Sequence, residues 1–165
     1  LADHAGNLQQ VLLVGGQAID PSGQHSLHGR GDAEDIGQTD QPVGATPALQ
    51  ARLREVPMAQ LCVSAVTEGE LLYGLARKPD ATALRAAVTG FLLRVDVLPW
   101  DSAVAARYGD LRAELGRRGT PLGNLDTLIA AHALALDCTL VSNDQAFARA
   151  PGLRWEDWTV AEAGV

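Results

Sequence analysis

The chain lacks the sequence features of membrane and secreted proteins. Its 165 residues contain no uninterrupted apolar run of about 18 residues, the length that a membrane-spanning helix requires. Its first residues do not show a basic stretch followed by an apolar one, which is the layout of a secretory leader. We therefore predict a cytoplasmic protein without a membrane partner.

Cysteine is also scarce, because Cys62 and Cys138 are the only two. Neither belongs to a Cys-x-x-Cys pair or lies near a histidine cluster, which argues against a zinc site and against a disulfide scaffold. Each lies in an apolar run, where a thiol is usually buried and unreactive. We expect both cysteines to be part of the core.

Positive charge is limited, with 13 Lys and Arg against 20 Asp and Glu, for a net charge of -7. A general affinity for nucleic acid depends on basic side chains that neutralise phosphates, so the overall charge opposes it. Any nucleic-acid path would have to use local arginines, and solvated helix charges explain these equally well. The candidates are Arg107, Arg112, Arg117 and Arg118.

The first 50 residues contain no aromatic residue, although they hold 8 of the 17 glycines. Within them only the run from Val11 to Val14 resembles a strand, and most of the remainder is polar without a period. We predict that residues 1–50 are an atypical, flexible or disordered segment and that residues 51–160 form the folded domain. An appended segment, a fragment and a misread frame would each explain such a shift in composition.

From residue 51 onward, short apolar runs alternate with helical patterns. This alternation predicts an α/β domain with a mainly parallel sheet covered on both faces. Acidic residues follow two of the runs, with Glu70 after Leu61–Val66 and Asp144 after Cys138–Val141, and Asp126 lies at the start of an alanine-rich helix. Because parallel strands end at one edge of a sheet, we expect these acids to approach one another there.

Carboxylates gathered at one edge repel each other unless a cation is present. Oxygen ligands alone favour Mg²⁺ or Mn²⁺ over zinc. Such an ion can orient a water molecule for attack on a phosphodiester and stabilise the charge that develops. The acids therefore indicate metal-dependent phosphodiester hydrolysis.

Three segments carry a resemblance to a known family: Glu70–Gly74, Asp126–His132 and Ser142–Phe147. In this order and spacing they resemble the PIN-domain ribonucleases, specifically the VapC toxins of toxin–antitoxin pairs, over roughly residues 51–159. The resemblance implies a three-layer α/β/α fold and a Mg²⁺-dependent (or Mn²⁺-dependent) endoribonuclease that hydrolyses RNA. It also implies an antitoxin partner that covers the site, and a homodimer.

The resemblance assigns the catalytic and metal-binding roles to Glu70, Asp126 and Asp144. Ser142 and Asn143 would support them by holding a metal-bound water or a phosphate. Simpler roles remain open for each acid: Asp126 as a charge at a helix N-terminus, Asp144 as a turn former, and Glu68 in place of Glu70. His132 is expected to be a packing residue, Asp101 a helix cap, and Trp155 and Trp158 core or dimer-surface residues.

One part of the family pattern is missing from the sequence. PIN domains open with a strand that ends in an Asp-x-Asn motif, and residues 1–60 contain no such motif. The nearest substitute is Asp20, which is followed by Pro21. We therefore predict an impaired ribonuclease, with a catalytically inactive binding module or truncated relic as the alternative. A phosphoacceptor receiver domain is a more distant alternative, because it requires a lysine partner and Lys78 is the only lysine.

Overall fold

A computed structural model of the chain describes residues 12–15 and 46–160. The strands and helices are, in chain order, β1 (Leu12–Val14), α1 (Pro47–Glu55), β2 (Leu61–Ser64), α2 (Ala65–Arg77), α3 (Thr82–Leu92), β3 (Asp96–Leu98), α4 (Ser102–Arg118), α5 (Asn124–Ala135), β4 (Thr139–Val141) and β5 (Trp155–Glu156). Short 3-10 helices cover Met58–Gln60 and Gln145–Arg149. No helix within residues 12–15 and 46–160 is long and apolar enough to cross a membrane.

Side-chain caps decide where two of the helices begin. The Oγ atom of Ser64 accepts a hydrogen bond of 3.1 Å from the backbone N–H of Val66, so α2 begins directly after β2. The apolar pattern of Leu61–Val66 predicts a strand over the whole run, but the cap ends the strand at Ser64. Asp101 caps α4, as predicted, by accepting a bond of 2.9 Å from the Val104 N–H.

The five strands form one mixed sheet in the order β3-β2-β1-β4-β5. The outer pairs, β2 with β3 and β4 with β5, are parallel, whereas β1 is antiparallel to both β2 and β4. Strands β2 to β5 consequently all end at the same side of the sheet, which we call the carboxyl edge. Strand β1 begins at that edge and ends at the opposite one.

Helices cover both faces of the sheet, because alternate strand residues point to opposite sides. Leu13 and Leu140 pack with residues of α4 and α5, such as Leu111 and Ile129, in one apolar cluster. A second cluster joins Val63 and Val141 to residues of α1 and α3, and its members include Val14, Leu49, Phe91 and Trp158. The predicted three-layer α/β/α fold is confirmed, and Cys62 and Cys138 are both buried, as expected. Four of the five strands run in the same direction, as a mainly parallel sheet predicts, and the reversed middle strand makes the sheet mixed.

Two ordered pieces of the chain precede residue 51. Strand β1 lies in the middle of the sheet, with Leu13 fully buried, and α1 begins at Pro47 behind its cap Thr46. The other residues of the segment expected to be flexible lie outside the described residues. The division of the chain at residue 51 stays a prediction.

Candidate functional site

The carboxyl edge is where polar residues follow the buried strands. Strand β2 ends at Ser64 and leads into α2, and β4 is followed by Ser142, Asn143 and Asp144. Helix α5 also directs its first turn to this edge, because only three residues connect its last residue to β4, so its C-terminal end lies at the opposite edge. The elements that carry Glu70, Asp126 and Asp144 therefore converge on one side of the sheet.

A buried hydrogen bond fixes α2 against α5. The Nδ1 atom of His132 lies 2.8 Å from the Oγ atom of Ser64, and both side chains are fully buried. Glu70 lies six residues after Ser64, and Asp126 lies six residues before His132. At the rise of an α-helix, each acid is about 9 Å along its helix from this bond. The bond thus holds the start of α2 against α5, with each acid about two turns away along its own helix.

His132 itself has the surroundings of a packing residue. Its ring makes an edge-to-face contact with Trp100, with 5.7 Å between the centroids. Within the described part of the chain, its Nε2 atom is buried and has no hydrogen-bond partner. Burial lowers the pKa of His132, against an opposing effect of the Asp101 carboxylate. The imidazole is therefore neutral at physiological pH and links helices inside the fold.

Asp126 lies in the first turn of α5, behind Gly123, which caps the helix without a side chain. Its side chain is half-buried and folds back toward Gly123, so that a β-carbon built on Gly123 would be only 2.5 Å from the Oδ2 atom of Asp126. The first four N–H groups of an α-helix have no intrahelical partner, and together with the helix dipole they favour a carboxylate there. The local structure thus supports an ionised Asp126.

Asp144 has a structural task in addition to its predicted one. Its Oδ1 atom accepts a hydrogen bond of 2.8 Å from the Ala146 N–H and so caps the 3-10 helix that follows. Ser142 is buried, and its Oγ atom accepts a bond of 3.2 Å from the Asp144 N–H. Its carbonyl oxygen accepts a bond of 2.8 Å from Trp155 Nε1. Ser142 therefore orders the turn that carries Asn143 and Asp144.

The described residues do not bring three metal-binding side chains together. No group of three or more His, Cys, Asp or Glu in residues 12–15 and 46–160 is arranged to hold a metal ion. Glu68 and Glu70 are both half-buried on α2, so burial does not choose between them. The oxygen donors nevertheless fit Mg²⁺ chemically, because this ion is commonly held by one or two carboxylates and keeps several waters.

Strand β1 occupies the position between β2 and β4, but in the reverse direction. Leu12 pairs with Val141 near the carboxyl edge, whereas Val14 pairs with Leu61 and Thr139 at the other end. The N–H of Gly15 then donates to the carbonyl of Gln60 at 3.1 Å, still at the far end. Residues 12–15 contain no acid, and Asp20, the proposed substitute, lies outside the described residues.

A cavity of about 200 Å³ opens beside the first turn of α5. Its lining combines apolar and polar side chains: Arg112, Leu115, Gly116, Pro121, Leu122, Asn124 and Thr127. Arg112 donates a hydrogen bond of 2.6 Å to the Tyr108 hydroxyl and lies over that ring. Of the four arginines suggested by the sequence, Arg112 is the one that lines this cavity.

Sequence reasoning missed Ser64 and Gly123 as parts of the site. Ser64 could have been found as the polar residue inside the apolar run Leu61–Val66, because serine is a common helix cap. Gly123 ends the stretch Gly119–Gly123, whose glycines and proline are typical of a turn, and no local pattern indicates that the Asp126 side chain lies in the space beside it.

A family model and curated relatives among known proteins indicate the same family. The model of the PIN domain matches residues 41–153. The chain is 42% identical over 114 residues to the tRNA(fMet)-specific endonuclease VapC of Shigella flexneri, an alignment that covers 68% of the chain and 86% of the relative. It is 41% identical over 101 residues to the tRNA(fMet)-specific endonuclease VapC of Salmonella typhimurium, covering 61% and 76%.

Solved structures agree with these relatives. The structure of DNA-bound VapBC from Salmonella typhimurium matches with a TM-score of 0.64 at 37% identity, covering 68% of the chain and 85% of the matched one. VapBC-1 from nontypeable Haemophilus influenzae matches with a TM-score of 0.62 at 30% identity, covering 68% and 86%.

Proposed function

Because this chain belongs to the PIN-domain family, we propose that it is a VapC-like endoribonuclease, the toxin of a toxin–antitoxin pair. The observation that supports this most strongly is the convergence of the Glu70, Asp126 and Asp144 elements on the carboxyl edge, in a chain that is 42% identical to a VapC endonuclease. Since the relatives named above are tRNA(fMet)-specific endonucleases, tRNA is the first RNA substrate to assay.

Glu70, Asp126 and Asp144 would hold a Mg²⁺ or Mn²⁺ ion. When bound, such an ion activates water and stabilises charge on a phosphodiester. Asp126 brings a carboxylate held at the first turn of α5, and Ser142 fixes the turn that presents Asn143 and Asp144. The Ser64–His132 bond holds the start of α2 against α5, the two helices that carry Glu70 and Asp126.

The proposed antitoxin partner is supported by the solved relatives, which are VapBC structures, whereas the proposed homodimer rests on the family resemblance. We infer an antitoxin that binds this chain and covers the carboxyl edge, and a homodimer of the chain itself. The antitoxin would also account for the acidic balance of the chain, since a basic partner segment could neutralise the exposed carboxylates.

The activity of the chain as written should be low. Its middle strand supplies no acid at the carboxyl edge within the described residues, so the ligand set is incomplete there. Misplacement of a reacting group by about 1 Å can lower a rate about a hundredfold. A weak, metal-dependent nuclease is therefore expected, and complete inactivity with intact partner binding would favour the alternative of a binding module.

The test compares Asp126→Asn with Asp110→Asn, an exposed acid on α4. Calorimetry with Mn²⁺ should show weak binding to the parent chain and to Asp110→Asn, and none to Asp126→Asn, because a hard cation loses one of its few carboxylates. The residual tRNA cleavage should follow the same order. Equal Mn²⁺ binding by both variants would contradict the proposed site.

A further inference from the structure

We propose that Gly123 is a positioning residue, which leaves the Asp126 carboxylate the space it occupies at the start of α5. The proposal rests on the proposed function, in which Asp126 is a metal ligand. It assigns to Gly123 a task that differs from chain turning, because the feature that matters is the missing side chain.

The backbone at Gly123 does not require glycine. Its dihedral angles are φ -56° and ψ 156°, which all residues adopt readily. Gly119 differs, since its φ of 66° lies in the left-handed region that favours glycine. Serine or aspartate would also cap α5 better than glycine, because their side chains accept a bond from the first turn. Conformation and capping therefore do not explain glycine at this position.

The lack of room for a side chain does explain glycine at position 123. A β-carbon at residue 123 would lie 2.5 Å from Oδ2, 3.4 Å from Cγ and 4.0 Å from Cβ of Asp126. A contact of 2.5 Å is shorter than any that real β-carbons make, so one of the two groups would have to move. All three of these nearest atoms belong to the Asp126 side chain, and the shortest contact is made by its carboxylate.

Residue 123 cannot move away to relieve the contact. Its carbonyl oxygen accepts two hydrogen bonds from Thr127, one of 2.9 Å from the backbone N–H and one of 2.7 Å from Oγ1. The Thr127 side chain is itself buried. The atom closest to the added group, in contrast, is the Oδ2 end of the Asp126 side chain, which gives way more easily than a hydrogen-bonded backbone. An added methyl group would therefore displace the carboxylate and leave the helix start in place.

The expected effect separates function from stability. Groups that orient a metal ligand typically alter metal affinity about 10-fold to 100-fold when they are changed. We expect Gly123→Ala to weaken Mn²⁺ binding about 10-fold while the thermal midpoint stays close to that of the parent chain. Gly109→Ala is the matched control, because Gly109 lies in α4 with no atom within 4 Å of its added β-carbon.

The experiment measures three quantities on the full chain: Mn²⁺ affinity by calorimetry, the thermal midpoint, and the carbon-13 shift of the Asp126 carboxyl in metal-free protein. Asp126→Asn identifies that resonance by removing it. The proposal predicts that Gly123→Ala shifts the Asp126 carboxyl and weakens Mn²⁺ binding at an unchanged midpoint, whereas Gly109→Ala changes neither the carboxyl shift nor the affinity.

An unchanged carboxyl shift in Gly123→Ala would overturn the proposal, as would a large fall in its thermal midpoint, since the glycine would then serve the fold. Failure of the proposed function would give a different experimental result. If Asp126→Asn binds Mn²⁺ as the parent chain does, Asp126 is not a ligand, and the positioning of its carboxylate by Gly123 is decided by the carbon-13 shift alone.

Discussion

Strand β1 and its neighbours β2 and β4 occupy equivalent central places in the sheet but make different contributions to the site. All three are short, and Leu13, Val63 and Leu140 at their centres are fully buried. Strands β2 and β4 end at the carboxyl edge, where Ser64 starts α2 and Ser142 orders the turn before Asp144. Strand β1 only begins at that edge.

The difference shows that apolar packing does not depend on strand direction, whereas the set of residues that a strand contributes to a site does. Leu13 and Val14 enter opposite apolar clusters, as alternate residues would in either direction. Backbone N–H and C=O groups also find partners in both parallel and antiparallel ladders. Which residues reach the carboxyl edge, however, depends on which end of the strand lies there. A complete sheet can therefore coexist with an incomplete site.

The largest effect on activity is expected from a middle strand that ends in an acid at the carboxyl edge. Replacing the segment before Thr46 with a strand of the type Leu-Leu-Asp-Thr-Asn and a connection to α1 would place an acid at the carboxyl edge, if that strand runs parallel to β2 and β4. Because correct placement of reacting groups can change rates about a hundredfold, we expect Mg²⁺-dependent RNA cleavage to rise by about that factor. Cleavage of a labelled tRNA at fixed protein concentration measures it.

The matched control is the same chimera with Leu-Leu-Ala-Thr-Asn, which should stay as weak as the parent chain. Asp126→Asn in the active chimera should abolish the gain. A folded chimera that gains nothing from the aspartate would remove the explanation based on strand direction and favour the binding-module alternative.

A smaller effect, on stability, is expected from His132, whose hydrogen bond to Ser64 joins α5 to the end of β2. Burial lowers the pKa of His132 below its ordinary value of about 6.5, so the folded state binds fewer protons than the unfolded state. The stabilising contribution is complete above pH 6.5 or so and is lost as the pH falls below it, by at most about 1.4 kcal/mol per pH unit. Urea unfolding at about pH 7.5 and 5.5 measures this loss.

His132→Asn is the comparison variant, since asparagine keeps a polar group near the Ser64 hydroxyl and does not titrate in this range. The parent chain should lose more stability than this variant over the same pH interval. Equal losses would mean that other groups cause the pH dependence and that His132 is not held neutral by burial.

Much of the fold was accessible from the sequence, because it depends on local patterns. Val104, Leu111 and Leu115 recur at helical spacing, and Asp101 has the side chain of a cap, so the prediction of a helix after Asp101 is confirmed as α4. The family resemblance of the acidic segments is likewise confirmed by the PIN-domain match. Both inferences used short segments of the chain, each recognised by its own local pattern.

The remaining features depend on contacts between distant residues. The run around Leu13 reads as a strand in either direction, and its reversal is determined by pairing with Cys62 and Leu140. The bond between Ser64 and His132 joins residues 68 positions apart, and no local pattern predicts it. The roles of Glu70, Asp126 and Asp144 stay predictions, because the structure describes their places and not their ligands.

The incomplete site follows from the direction of β1, which nuclear Overhauser contacts across the middle of the sheet can determine. An antiparallel β1 places Val14 beside Leu61 and Thr139, and Leu12 beside Val141. We expect contacts between the backbone protons of these pairs. Contacts of Val14 with Val141 and of Leu12 with Thr139 would instead show a parallel middle strand that ends at the carboxyl edge, and would contradict the account.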